Sequence, residues 1–275
     1  MMSNLQTQPV GNLLRDWRRR RRLSQLDLAC EAEISARHLS FLETGRSLPS
    51  REMILHLAER LEVPLRERNS LLVAAGYAPV FRERPLDDPT LQAARKAIDL
   101  VLAGHEPYPA IAVDRHWTLV ASNRAIPPFL AGVDPSLLEP PVNVLRLSLH
   151  PRGFAPRIVN LEEWRSHLLA RLRHQIDASA DPVLAELLSE LSGYPIPSGN
   201  RYDAPPGTDY AGVAVPLQLA TEDGILSFFS TTTVFGTPVD ITLSELALES
   251  FFPADAATSN ILNRIFNRDP QQMNG

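Results

Sequence analysis

Arg37, Ser40 and Phe41 are the side chains of this 275-residue protein best placed to act on a partner molecule. At about 100° per residue they share one side of a short helical segment, while Leu39 and Leu42 share the other. A guanidinium offers paired donors to a base edge or a phosphate, and an aromatic ring offers a surface to a thymine methyl. Just upstream, Leu28, Ala29 and Ile34 fall where a preceding short helix and turn would bury them. Two short helices joined by a tight turn, the second showing Arg and an aromatic to solvent, are what entry into a DNA major groove requires.

No comparable set points to catalysis. There is no HExxH or CxxC pair, no phosphate-binding glycine loop and no nucleophile elbow. His167 and His174 lie seven apart on one expected helix, too far for a shared ion without other ligands. His150-Pro151 is the one place where a haem ligand can be imagined, and nothing near it in sequence adds to that. We therefore expect no catalytic residue, no metal, no resident cofactor and no enzyme.

Charge is divided unevenly. Residues 1–80 carry 12 arginines against 9 acids, and the remainder carries 15 basic residues against 23 acidic ones. A mildly basic N-terminal unit on an acidic body suits a DNA contact confined to one end. The lone Cys30 excludes an internal disulfide framework and reads as a small, partly buried apolar residue. No apolar run approaches the roughly 18 residues of a membrane span, and the N-terminus has no signal-peptide layout. The expectation is a soluble cytoplasmic protein with no membrane partner.

Capping residues place five helices in the first 78 residues. The first runs from Val10 to Arg22 with Leu13, Leu14 and Trp17 inward. Ser24 with Asp27 opens the second, Ser35 opens the third, and Gly45 stops it. Pro49-Ser50 precedes a fourth, Arg51 to Leu61, and Pro64 a fifth that ends at Gly76. Prolines and mixed charge make residues 79–90 a linker.

These residues resemble the Xre/Cro family of helix-turn-helix repressors, through R-x(5)-SQ-x(2)-LA followed by IS-x(3)-LS-x(2)-E-x-GR-x(2)-PS. The resemblance implies that Gln25 meets backbone or base edge. It implies also that Ser35, Ala36, Arg37, His38 and Phe41 face the groove, and that the Thr44 to Arg46 loop meets phosphates. It further implies an ion pair between Arg18 and Glu43, with Arg19 to Arg22 left to solvent or phosphate. Glu33 stands where the family often has Gly, which places a left-handed Glu in the turn.

Beyond the linker, Leu91 to Leu102 reads as a helix with Leu91, Ala94, Ile98 and Val101 on one side. PAIAVDRHWTLVASNR reads as a hairpin, followed by a helix from about Asn123. Trp164, Leu168 and Leu172 lie on a helix over Leu161 to Gln175, and Asp181-Pro182 opens another to Leu191. Gly193 to Asp209 is a loop. Val213 to Leu219 and Leu226 to Val234 alternate as strands, and Leu246 to Phe252 fits a strand or a helix. The result is an α+β layout, a five-stranded antiparallel sheet with helices, behind an all-α five-helix helix-turn-helix domain.

The second half resembles the PAS-like ligand-binding domain of MmyB-type transcription regulators, through YPAIAVDRHWTLVASNR, NVLRLSLHPRGFAPRIVNLEEW, HLLARLR and LSFFSTTTVFGTPVDITLSELALESFFPADAAT. That resemblance implies a sensor over residues 91–265, with a tail at 266–275, for a small, largely apolar, fatty-acid-like molecule. Phe129, Leu145, Trp164, Leu168, Phe228 and Phe235 are candidate walls; Asn143, Arg146 and His150 are candidate anchors. Taken singly, each wall residue reads first as core packing, and the anionic partner that Arg146 calls for is a ligand carboxylate or one of the protein's own acids. The whole is then a one-component regulator that binds double-stranded DNA as a homodimer. A body serving as a protein-interaction or dimerisation platform, with no small ligand, is the alternative.

Overall fold

The computed structural model describes residues 8–195 and 215–267. The chain separates into two compact units. One comprises Met1–Arg84 with the short segments Asp177–Ala180 and Pro238–Ser244, and the other holds the rest.

The first unit is built on α1 (Val10–Arg20), α2 (Gln25–Glu31), α3 (Ala36–Glu43), α4 (Arg51–Arg60) and α5 (Leu65–Ala74). Local chemistry sets most of the boundaries. Ser24 and Asp27 form a reciprocal capping box, and the hydroxyls of Ser35 and Ser50 accept the backbone N–H groups of His38 and Met53. Helix α1 ends at Arg20, two residues short of expectation, because Arg22 turns left-handed (φ 57°). Glu33 also holds a left-handed conformation (φ 54°) in the turn between α2 and α3. Leu14, Leu28, Leu39, Leu42, Ile54, Leu57 and Leu72 fill the core, each burial contributing roughly 1.5–3 kcal/mol. Gly11 lets α1 rest directly on the end of α3, since a Cβ there would sit 2.4 Å from the Leu42 carbonyl oxygen.

The second unit opens with α6 (Gln92–Gly104), behind a 3₁₀ turn at Pro89–Leu91. Its inward stripe is Leu91, Ile98 and Leu102; Val101, expected on that stripe, is exposed. The hairpin forms as β1 (Ala110–Val113) and β2 (Leu119–Ser122). The helix expected from Asn123 does not form. Pro127 and Pro128 lack the N–H groups a helix needs and leave only a 3₁₀ turn, Pro127–Leu130. Asn123 is buried and tied by its side chain to the backbone of Ala110, Leu102 and Tyr108.

Further along come α7 (Val144–Leu149), α8 (Leu161–Ser179), α9 (Pro182–Ser192), β3 (Leu217–Thr221), β4 (Gly224–Val234), a single turn α10 (Ile241–Ser244), β5 (Ala247–Pro253) and α11 (Ala256–Phe266). The open choice at Leu246 to Phe252 resolves as strand, and α11, capped by Asp255, was not foreseen. Val213, most of the expected 193–209 loop and most of the 266–275 tail lie outside the described residues.

The five strands form one antiparallel sheet in the order β2-β1-β5-β4-β3. Period two sorts its residues onto two faces. Ala110, Ala112 and Leu248 pack with Ile98 and Leu102 of α6. The other face places Ile111, Glu249 and Thr232 in one cross-strand row, with Phe251 and Ser230 paired next to it. Above that face lie Trp164, Leu168 and Leu172 of α8 in the larger core.

Candidate nucleic-acid interface and ligand cavity

Helix α3 is held from behind by a buried carboxylate. Glu43 is 1% exposed, and Arg18 grips it bidentately, Nε to Oε1 at 2.6 Å and Nη2 to Oε2 at 2.9 Å. The third donor of Arg18, Nη1, reaches the Leu23 carbonyl at 2.8 Å. Gln25 donates to Glu43 Oε2 at 2.8 Å, and Arg15 donates to the Glu43 carbonyl at 2.7 Å. Burial pushes the Glu43 carboxyl up, but the hydrogen bonds from Arg18 and Gln25 outweigh it and hold the group below the usual carboxylate range. One of the two amide N–H groups of Gln25 is therefore committed inside the protein.

The opposite side of α3 faces solvent. Arg37 and Arg46 are exposed, and both guanidinium groups lie over the half-buried Phe41 ring, 5.3 and 5.8 Å from its centroid. Two cations are thereby held against one ring, with no ion-pair partner among the described residues. Ser35 spends its hydroxyl on capping, Ala36 and His38 are half-buried, and Thr44 is exposed with its hydroxyl on the Ser40 carbonyl. The arginine run of α1 divides by role. Arg20 and Arg21 lie over Trp17, and Arg21 also caps α4 through the Leu61 and Glu62 carbonyls at 2.8 and 3.0 Å. That assigns Arg21 to the fold, against the expectation that it is left to solvent or phosphate. Cys30 is likewise exposed, not partly buried.

In the second unit a cavity of about 320 Å³ lies between the sheet and the elements that cover it. Phe129, Leu145, Trp164, Leu168 and Phe228 line it. The other four residues expected there are elsewhere. Asn143 caps α7, accepting from Leu145 and Arg146 while donating to the His116 carbonyl. Arg146 is paired with Glu190 through contacts of 2.8 to 3.0 Å, and Tyr194 donates to the same carboxylate. His150 accepts the Arg152 N–H through Nδ1 and packs edge-on to Tyr194. Phe235 packs against the smaller cluster behind the sheet.

The cavity has a polar group that sequence reasoning missed. Arg171 of α8 and Glu249 of β5 both reach its wall, joined at 2.5 and 3.1 Å, and Arg171 also lies 4.6 Å over the Trp117 ring. Arg171 follows Trp164 and Leu168 at helical spacing, and that cation on an apolar stripe was the available signal. Its partner is 78 residues away, so nothing local announces the pair.

The residues 94–265 match the model of the MmyB-like transcription regulator ligand binding domain, and residues 9–71 match a helix-turn-helix domain. The chain belongs to the MmyB-like regulators. No curated protein matches it. In this chain a helix-turn-helix domain is thus joined to the ligand-binding domain of a transcription regulator. In this MmyB-like regulator α3 lies within the matched helix-turn-helix segment, and the apolar cavity is lined by residues of the matched ligand-binding domain. Among the described residues no helix is long and apolar enough to cross a membrane, and no cluster of His, Cys, Asp or Glu is arranged to hold a metal.

Proposed function

We propose that this protein is a one-component transcriptional regulator that binds a specific operator as a homodimer and answers to a small, lipid-like molecule. Residues 1–78 serve as the Xre-type reader, 79–90 as the linker and 91–265 as the sensor, in the cytoplasm. Arg37, Phe41 and Arg46 meet base edges and phosphates, with Ser35, Ala36 and His38 along the groove, Thr44 at the backbone and Gln25 aligning the start of α2. The observation that carries this is the asymmetry of α3: its inner side is locked by Glu43, while its outer side presents two cations on one ring. Two such helices in successive major grooves, about 34 Å apart, require a dimer. The ligand acts through whatever difference in affinity it has for two states of the protein.

Selection of bound sites from random duplexes tests the reader: a palindromic site with half-sites one turn apart supports it, and no enrichment refutes it. Solvent extraction followed by mass spectrometry tests the sensor. A stoichiometric lipid-like species supports it, and a body that extracts clean while the cavity is filled by its own side chains makes the second unit an interaction platform instead.

A further inference from the structure

The cavity wall is almost entirely hydrocarbon, so its few polar atoms decide what kind of ligand end it accepts. Trp117 and Trp164 border it, but their indole N–H groups are spent, on Gln175 Oε1 at 2.8 Å and Ser148 Oγ at 3.1 Å. Arg171 is the one cation among the lining residues described and Glu249 the one anion. Their pairing is complete in itself. Arg171 Nη1 and Nη2 meet the two carboxylate oxygens, Nη2 also donates to Thr232 Oγ1 at 2.7 Å, and that hydroxyl donates to Glu249 Oε1 at 3.0 Å.

Glu249 has nowhere else to go. It is 3% exposed on the middle strand of the sheet, fixed in the row between Ile111 and Thr232. A ligand carboxylate seeking Arg171 meets that anion first. If it entered beside Glu249, two buried carboxylates would share one guanidinium; if it took the bidentate position, Glu249 would keep only the Thr232 hydroxyl. Either outcome leaves a buried negative charge undercompensated. Among the described lining residues no second cation relieves this. His167, stacked on Trp164, is held below the ordinary imidazole range by burial first and by Arg171 next, against the weaker pull of Glu163 and Glu249. An uncharged oxygen has no such penalty, because the guanidinium has five N–H groups and spends three on these acceptors.

We propose that the cavity selects an uncharged lipid-like molecule, ending in a hydroxyl, amide or ester, over the corresponding carboxylate. Glu249 acts as a built-in counter-ion that excludes acids. The proposal rests on the ligand-sensing function above and names the class of its ligand.

The test is competition binding on the full-length protein with n-decanol, n-decanamide and decanoate at a pH where the acid is ionised. The unsubstituted protein is expected to bind the two neutral probes at least about tenfold more tightly than decanoate. The Glu249→Gln variant, with Arg171 no longer neutralised, is expected to reverse that order. Tighter binding of decanoate by the unsubstituted protein overturns the selectivity while leaving ligand sensing intact. An unchanged order in a folded Glu249→Gln variant overturns the role of Glu249. Failure of all three probes to bind overturns ligand sensing and the selectivity with it. The ranking in the unsubstituted protein stands as a test even where the variant does not fold.

Discussion

Replacing Glu43 with Gln should unlock α3 from its own domain. The change keeps the size of the side chain and removes its charge, so Arg18, 8% exposed, becomes a buried cation without a counter-ion. Breaking a buried pair by removing one partner costs about 3–5 kcal/mol. A domain this small has a total stability of roughly 5–15 kcal/mol, so the variant should lose a large share of it. At about 4–8 °C per kcal/mol the midpoint of the first unit falls by roughly 12 °C or more. Native-state hydrogen exchange at the amides of Leu14 and Leu42 gives the free energy of this unit separately from the sheet domain.

The same carboxylate sets a pH dependence with a definite sign. Its folded pKa is depressed below the usual 4.5. The stability it contributes is therefore complete above that value and is lost as the pH falls through the lower folded value. Other carboxylates, Glu106 and Asp181 among them, are depressed as well, so the whole protein weakens in acid. The informative quantity is the difference between the two proteins: the gap in exchange free energy should close on acidification. A loss below about 1 kcal/mol at neutral pH, or a gap that stays constant into acid, refutes the claim that this ion pair holds α3.

Three further outcomes follow from the same geometry. Arg37→Ala should weaken specific operator binding by about 1–3 kcal/mol and relax preference at one base pair, read by titration against operator variants; equal loss on random duplex makes Arg37 a phosphate contact. Phe41→Ala should free both guanidinium groups and lower operator affinity by about 0.5–1 kcal/mol, and a higher affinity in the same titration would show that the ring restrains them unproductively. Leu168→Trp should fill the cavity and abolish co-purified ligand in mass spectrometry while the melting midpoint drops by no more than a few degrees; retained ligand would move the binding site elsewhere.

What could be read in the residues follows the range of the interactions involved. Caps act over three residues, so Ser24 with Asp27, Ser35 and Ser50 announced their helices directly. The hairpin was legible because its two alternating runs are adjacent. Asn143 misled because a polar residue before VLRLSL resembles a ligand anchor as much as a cap, and the choice depends on whether six residues coil or extend. Proline pairs were underweighted at Pro127, where the missing donors overrode an apolar pattern. The pairing of Arg171 with Glu249 lay beyond any local signal, because β5 had first to enter the middle of the sheet before Glu249 could face α8. Arg18, Arg146 and Arg171 make the point together. Each is a cation in an apolar context, each pairs bidentately with a distant acid, and only the surroundings separate a structural clamp from a cavity wall. A charged residue on an apolar stripe thus predicts a partner; the fold decides whether that partner is the protein itself, and here Glu43, Glu190 and Glu249 supply it in all three cases.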